Sequence, residues 1–589
     1  MVHKLIQGVL AVAITFRYPL ILWLILLFVI KETYMGVMRH FLIRRGQPVE
    51  GMVWHEKLCT AVLDFVLLVL AMLPLMSYFK ANVLIVLAMA AMLFSFGSDI
   101  WLHIRRLRGY EESDASKHMT RGRKVAIGVG GCILAICYVV LGGSLPYLNQ
   151  PEVSEEYRQA FSTENFYSDT VSCDRAAIVE ENADALAERI RLIEYAREQI
   201  VMSTFSFQSD EAGKQVIAAL QRAAERGVEV RILVDGFNSV LKMSGNPYFY
   251  ALTAHENVEI RIYNRANPLI PWKGMSRMHD KYLVADEEVY ILGGRNTFNY
   301  FLGDQDSHKN HDRDVLVYNT GGAESSVYQV LGYFEHIWSL KCCKTWNVGA
   351  WYSFLPCVRR ADAELEQIYE GLQETHPEWF EETDYTAQTV AVDKITLLSN
   401  PTGLYSKEPW VFYGLCQLMA DAEEEVWIHT PYIMCNEDMY EAFTKLCGKD
   451  ADILLMTNSI INNGNPFGAV DYALHKQEIL ATGLQVLEYE GGTSYHAKSM
   501  VIDDDISIVG SFNMDMKSLY QDTELMLVID SEELNAQLRE CLAVYQEEAM
   551  EAIYTGNEEA ELFYEGITRK KRIQRRVIKF LDPWLRFLM

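Results

Sequence analysis

Two short runs of residues have the makings of a reaction centre. Arg277-Met278-His279-Asp280-Lys281-Tyr282-Leu283-Val284-Ala285-Asp286 and Tyr495-His496-Ala497-Lys498-Ser499-Met500-Val501-Ile502-Asp503 both read H-x-K-x4-D, with their histidines 217 residues apart. Each is trailed, 17 positions after its His, by an asparagine: Asn296 in Gly293-Gly294-Arg295-Asn296 and Asn513 in Gly510-Ser511-Phe512-Asn513. One such run arises by chance; two with the same trailing Gly and Asn do not. In a strand, residues two apart point to one face, so H-x-K delivers an imidazole together with a cation. Two copies related by an approximate twofold axis would put two His and two Lys around one cleft. That set suits a phosphodiester. The ammonium groups of Lys281 and Lys498 and the amides of Asn296 and Asn513 can hold nonbridging oxygens and stabilise a five-coordinate transition state. One neutral imidazole can attack phosphorus; the other, protonated, can donate to the leaving alkoxide and later deprotonate an incoming alcohol. No metal or other cofactor is needed, and clustered lysines would repel a metal ion.

Each imidazole needs a carboxylate to orient its far nitrogen. Glu524 in Thr523-Glu524-Leu525-Met526-Leu527-Val528 follows His496 by 28 residues, and Asp314 in Arg313-Asp314-Val315-Leu316-Val317 takes the corresponding place after His279. Asp286 and Asp503 lie seven residues from their histidines, across the strand from the active face, which predicts a structural role.

The elements around these motifs repeat. Residues 183–197 have helical periodicity, 199–205 read as a strand, 211–226 as a helix and 228–234 as a buried strand; later, helical 410–422, 438–447 and 472–482 alternate with strands 425–430, 451–456 and 484–489. Alternating β and α units predict an α/β sandwich, and the recurrence predicts a duplicated domain.

Ahead of them lies a different body. Residues 5–30, 58–79, 81–102 and 125–148 are long apolar stretches, each near the 20 residues or so that cross a bilayer as a helix. Arg17 interrupts the first and moves its start toward Tyr18. Arg39, Arg44, Arg45 and Lys57 follow the first stretch, and Arg105, Arg106, Arg108, Lys117, Arg121, Arg123 and Lys124 follow the third, which marks both loops as cytoplasmic and sets everything after the fourth span outside. Residues 1–150 carry 15 Lys and Arg against 8 Asp and Glu, whereas the remainder carries 38 against 71, a net of −33. That acidic body disfavours a nucleic-acid partner. Eleven cysteines without a C-x-x-C pair indicate neither a zinc ribbon nor a full disulfide framework, and Cys342, Cys343 and Cys357 read as packing or structurally paired thiols.

The paired motifs with their trailing G-x-x-N resemble the phospholipase D superfamily. Apolar spans ahead of a two-motif region, Arg277-Met278-His279 leading into Gly293-Gly294-Arg295-Asn296, and Pro431-Tyr432 at the opening of the second half are similar to bacterial cardiolipin synthases, the C-type most of all. The resemblance spans about residues 175–545. It implies two phospholipase D-like α-β-α lobes with pseudo-twofold symmetry behind an all-α transmembrane region. It also implies ping-pong transphosphatidylation: a phospholipid donor, phosphatidylglycerol or phosphatidylethanolamine, forms a phosphohistidine on His279, and a phosphatidylglycerol hydroxyl resolves it with His496 as acid and base. A phospholipase D-type hydrolase using water, a nuclease, or a noncatalytic lipid scaffold are the competing readings, since one intermediate serves both water and alcohol. The chain differs from such synthases in its four expected spans and a basic tail. The expected organisation is a transmembrane region over 1–150, a linker over 151–174, lobes over 175–345 and 396–550 joined by 346–395, and a tail over 551–589.

Two further segments carry charge. Residues 304–314 concentrate Asp and His, yet Lys309 and Arg313 oppose a cation, and a solvated loop is expected. Residues 569–589 combine seven cationic residues up to Lys579 with Phe580, Leu581, Trp584, Leu585, Phe587 and Leu588. They read as an interfacial helix drawn to anionic lipid, or as a solvated helix broken at Pro583.

Overall fold

The computed structural model describes residues 2–15, 17–45, 54–72, 76, 78–107, 137–267, 269–305, 308–346 and 349–588. The chain divides into two compact units. One comprises Met1–Cys137, Val240–Ala254 and Val348–Leu365; the other comprises Tyr138–Ser239, His255–Asn347 and Glu366–Met589.

The first unit is helical, with helices Val2–Thr15, Ile21–Arg44, Trp54–Met72 and Tyr78–Leu107. Among the described residues, Ile21–Arg44 and Lys80–Ile104 are long and apolar enough to cross a membrane. The stretch over 5–30, expected to be interrupted at Arg17 with its span starting near Tyr18, is two helices. Pro19 has no N–H to donate and drives the residue before it out of the helical region, so the chain turns there and restarts at Ile21. Arg39 and Arg44, expected in a loop, are helical as a result. The stretch at 58–79 forms a helix that ends at Met72, and residues 125–136 of the fourth expected span lie outside the described residues. Polar groups inside this unit pair with one another: buried Lys31 lies 3.4 Å from Asp99 and donates to Ser95 Oγ, and His55 Nδ1 lies 3.7 Å from Asp99. A low-dielectric helical interior tolerates charge only when it is paired in this way.

The second unit is built on two large sheets. The first contains β1 (Asp174–Val179), β2 (Gln199–Thr204), β3 (Glu229–Asp235), β4 (Val258–Tyr263), β5 (Tyr282–Ala285), β6 (Val289–Gly293), β8 (Asp314–Asn319), β9 (Cys343–Thr345) and β10 (Val390–Ala391), in the order β10-β1-β8-β6-β5-β2-β3-β4-β9. The second contains β11 (Lys394–Ser399), β12 (Glu425–His429), β14 (Asp452–Asn458), β15 (Gln485–Tyr489), β17 (Ser499–Ile502), β18 (Ile506–Gly510), β20 (Leu525–Asp530) and β21 (Ala549–Glu551), in the order β11-β20-β18-β17-β12-β14-β15-β21. From β1 and β11 onward the two orders match strand for strand. Both mix a parallel trio, β2-β3-β4 or β12-β14-β15, with antiparallel strands that carry the motifs.

The parallel trios read as continuous apolar runs because both faces are covered. Helices Val327–Ser339 and Glu532–Glu547, one per lobe, share a single core with Val201, Leu233, Val284 and Val315 of the first sheet and Val501, Val509 and Leu527 of the second. Helices Asn182–Tyr195 and Glu211–Glu225 belong to the first lobe, and Trp410–Ala420, Glu437–Leu446 and Pro466–Ala481 to the second. The segment read as a linker is packed: Tyr157 stacks on Trp410 with ring centres 4.3 Å apart, and Phe161 and Phe166 join the second lobe's core.

Candidate active site

His279 and Lys281 lead into β5, and His496 and Lys498 lead into β17. In each lobe the glycine ending the next strand crosses directly over the lysine: Gly293 N–H donates to Lys281 O, and Gly510 N–H to Lys498 O, both at 3.2 Å. A Cβ on Gly293 would fall on the Arg313 carbonyl and Asp314, and one on Gly510 on the Leu525 carbonyl, so only glycine allows this approach.

The segments bearing the two histidines are stitched to the opposite lobe. β16 (Ser494–Tyr495) pairs in parallel with β7 (Asn310–His311), and His496 N–H donates to His311 O at 2.7 Å. Met278 bridges Thr523 in the same way, Thr523 N–H donates to Arg277 O at 2.9 Å, and His279 N–H donates to Thr523 Oγ1 at 3.1 Å. The residue after each of these anchors carries a carboxylate. Glu524 lies 3.0 and 3.2 Å from His279 Nδ1, and Asp312 Oδ2 lies 2.7 Å from His496 Nδ1. Each imidazole is therefore oriented by the other lobe.

This arrangement corrects two expectations. Glu524 serves His279, not the His496 of its own repeat. Asp314 reaches neither histidine; its carboxylate accepts from Arg189 Nη2 at 2.9 Å and lies 3.4 Å from Arg295 Nη1. The register explains the slip. Gly293 pairs with Asp314, whereas Gly510 pairs with Met526, so Asp314 corresponds to Met526 and Asp312 to Glu524. A two-residue slip keeps a side chain on the same strand face but moves it about 6.6 Å. The expected solvated loop is corrected over its second part: Asp304 and His308 are exposed, but Asn310, Asp312, Arg313 and Asp314 are buried, and Arg313 Nε donates to Glu180 at 2.6 Å.

The two imidazoles, two lysines and two carboxylates form one electrostatic cluster. Lys281 Nζ donates to the His279 carbonyl, and Lys498 Nζ lies 2.8 Å from His496 Nδ1. Burial, with Lys281, Lys498 and His496 adding repulsion, holds His279 well below the ordinary histidine value. His496 is lowered to about 4 by burial and Lys498, against the opposing pull of Asp312. Burial likewise lowers Lys281 to about 8 and Lys498 to about 7. The carboxylates diverge. Burial raises Glu524 to about 8, despite Lys281 and hydrogen bonds from Ser511 and Ser518, whereas in Asp312 the attraction of Lys498 and His496 outweighs burial and keeps the carboxyl well below its usual range. These shifts favour neutral imidazoles, and the negative charge of a phosphodiester entering the cluster would favour protonation of His496 again.

Comparison with known proteins agrees with this geometry. The family described as "Cardiolipin synthase, PLD-like domain" matches residues 190–338 and 415–543, one match in each lobe. The chain belongs to the phospholipase D superfamily. Cardiolipin synthase C of Escherichia coli K12 is 26% identical over 404 residues, 61% of this chain and 82% of that protein. Cardiolipin synthase A of Pectobacterium atrosepticum is 25% identical over 396 residues, covering 64% and 73%. A crystal structure of phosphatidylserine synthase from Haemophilus influenzae matches the fold with a TM-score of 0.51 at 15% identity, over 70% of this chain and 95% of that one.

In this superfamily enzyme the trailing asparagines are buried beside the cluster: Asn296 accepts Ser206 N–H at 3.0 Å through Oδ1, and Asn513 N–H donates to Ser518 Oγ at 3.3 Å. The motif aspartates face away from the imidazoles and close turns. Asp286 accepts the N–H groups of Arg197, Glu198 and Gln199 at 2.9 to 3.0 Å, and Asp503 those of Glu423, Glu424 and Glu425 at 2.8 to 3.0 Å. Both sit at positive φ, 53° and 43°, a conformation Asp tolerates better than most residues. Asp312 is the site residue that sequence reasoning missed. Spacing did not mark it, because the first repeat is longer: Asp312 lies 33 residues after His279, against 28 from His496 to Glu524. Among the described residues the metal-type side chains that gather are Asp471, His475 and Asp582, away from the motifs, and Arg586 already pairs with Asp471 at 2.6 Å. The described cysteines are free thiols.

Proposed function

We propose that this enzyme is a multi-pass, membrane-anchored phosphatidyltransferase that makes cardiolipin from phosphatidylglycerol and a second phospholipid through a phosphohistidine. The observation that carries this is the pair of imidazoles, each held through Nδ1 by a carboxylate, in one cluster with two lysines. With Nδ1 engaged, Nε2 is the reacting nitrogen. His279 Nε2 attacks the donor's phosphorus, forming the P–N bond as the bond to the leaving alcohol oxygen breaks, and His496 gives that oxygen its proton. The incoming phosphatidylglycerol hydroxyl then loses its proton to His496 and its oxygen displaces His279 from phosphorus. Lys281 and Lys498 neutralise the nonbridging oxygens, and Asn296 and Asn513 are read as supplementary donors.

Two apolar helices support anchoring in a membrane. We read the basic residues at 39–57 and 105–124 as cytoplasmic, which puts the catalytic unit on the extracytoplasmic face. The substrates are phospholipids, and the acidic body argues against nucleic acid.

The decisive experiment incubates the purified full chain in lipid nanodiscs with phosphatidylglycerol, with and without phosphatidylethanolamine, and separates the lipids. Cardiolipin with released glycerol or ethanolamine supports the transferase. Phosphatidic acid alone replaces it with a hydrolase, and no product from folded protein replaces it with a scaffold.

A further inference from the structure

The last helix of the catalytic unit, Arg569–Leu585, has one face fixed and one face bare. Arg575 is buried and donates to Leu562 O and Ile460 O, both at 2.8 Å; Ile578 enters the second lobe's core; and buried Asp582 lies 3.6 Å from His475. Beyond the helix, Arg586 pairs with Asp471, and Gln521 Nε2 donates to Phe587 O at 3.0 Å. Pro583 does not break the helix, because it falls in the final turn, where its missing N–H removes a single bond.

Fixing that face dictates what points away. Ile573, Val577, Phe580 and Trp584 are 54%, 51%, 74% and 71% exposed. Their spacing of four, three and four residues puts them within about 60° of one another on the helix, opposite Arg575, Ile578 and Asp582. Exposed Arg569, Lys570 and Arg576 border the stripe, with Lys571 and Arg572 beyond them. An aromatic-ended apolar stripe edged by cations is the profile of a helix lying in a lipid interface. The surrounding chain carries a net −33 after residue 150 and would be repelled by an anionic bilayer, so this helix inverts the local charge. A second copy of the same basic helix would repel it.

We propose that helix Arg569–Leu585 is a docking surface for an anionic bilayer, with Ile573, Val577, Phe580 and Trp584 entering the acyl boundary and the flanking Lys and Arg meeting headgroups. It deepens the lipid-substrate reading above and rests on it. The tie from Phe587 to Gln521 connects the docked helix to the segment that leads into Thr523 and Glu524, so the cleft is held at the surface from which its substrates come.

The test places a photoreactive benzoylphenylalanine at Phe580, at Trp584 and, as a buried control, at Ile578, in the full chain in nanodiscs. One bilayer is phosphatidylcholine; the other adds phosphatidic acid, which is anionic but has no alcohol to transfer. Expected are lipid adducts at 580 and 584 but not at 578, with a yield roughly tenfold higher on the anionic bilayer and falling as NaCl is raised from about 0.05 to about 0.5 M. Replacing Lys570, Lys571, Arg572 and Arg576 by Gln lowers the yield similarly, and a thermal melt reports whether that variant is folded; the salt series needs no substitution. Adducts to protein at 580 and 584, no adducts, or yields indifferent to charge and salt overturn the proposal. Phosphatidylglycerol turnover in the same preparations separates the two readings: turnover without adducts sinks the docking surface alone, and adducts without turnover sink the transferase alone.

Discussion

The two halves of the site use the same parts in different proportions. In the His496 half the carboxylate is the short Asp312, and the position beneath it is Gly294, where any Cβ would fall on Asp312 Oδ1. In the His279 half the carboxylate is the longer Glu524, and the matching position is Ser511, whose hydroxyl donates to Glu524 Oε2 while Ser518 Oγ donates to Oε1 at 2.6 Å. Side-chain length and floor have changed together, and the imidazole–carboxylate contact survives in both. The electrostatics differ. Ionised Asp312 favours positive charge on His496, in keeping with the acid–base role proposed for it; Glu524, pushed up to about 8, does so less for His279, in keeping with the proposed nucleophile, which must be neutral.

The hardest way to break this comparison is to remove the rings. His279→Asn and His496→Asn should each lower turnover by about 10³-fold or more. They part on a phosphatidyl p-nitrophenol donor, whose leaving group needs no proton: the His496 variant should still form a phosphoenzyme detectable by mass spectrometry, and the opposite pattern would exchange the two roles. Next, Asp312→Asn and Glu524→Gln should cost about 10²-fold each. Asp314→Asn should leave turnover per folded molecule intact while costing about 3 kcal/mol in denaturant unfolding, because Arg189 and Arg295 lose a buried counter-charge.

A pH series sharpens the comparison further. A nucleophilic His279 needs its proton on Nδ1, facing an ionised Glu524; below about 8 the pair holds one proton too many, so kcat/KM should rise as pH climbs toward that value. Lys498 and Lys281 lose their charge as pH passes about 7 and about 8, so the same quantity should fall on the alkaline side. The expected profile is a narrow bell with its maximum between about 7 and about 8; a flat plateau from pH 6 to 9 would refute it. Ser511→Ala removes a hydrogen bond that favours the ionised Glu524, so the acid limb should move upward and turnover at pH 7 should drop about threefold to tenfold. Smallest in rate are Asp286→Ala and Asp503→Ala, expected to lower the unfolding free energy by about 1–3 kcal/mol with turnover unchanged in the folded protein.

Much of this was legible from residue order. H-x-K needs only the two-residue period of a strand, and the βα alternation needs only apolar periodicity, so the lobes and their motif residues could be located without coordinates. The pairing of imidazole with carboxylate could not, because it passes between repeats: nothing local distinguishes Asp312 from Asp314, and the choice depends on which residue opposes Gly293 in β6. Residues 304–314 looked solvated because all eleven are polar, and the burial of Asn310 and Arg313 became apparent only once Glu180, Asn182 and Tyr495 supplied their partners. In the first apolar stretch the break was legible from Arg17, and the missing N–H of Pro19 supplies its physical cause.

The exchange of carboxylates also bears on biosynthesis. While the first repeat leaves the ribosome, His279 has no acid to orient it, since Glu524 is translated 245 residues later. A nascent or truncated chain ending between the lobes thus carries a reactive ring whose partner does not yet exist. Lipid chemistry is withheld until both halves have folded against each other, and the fold serves as its own safety catch.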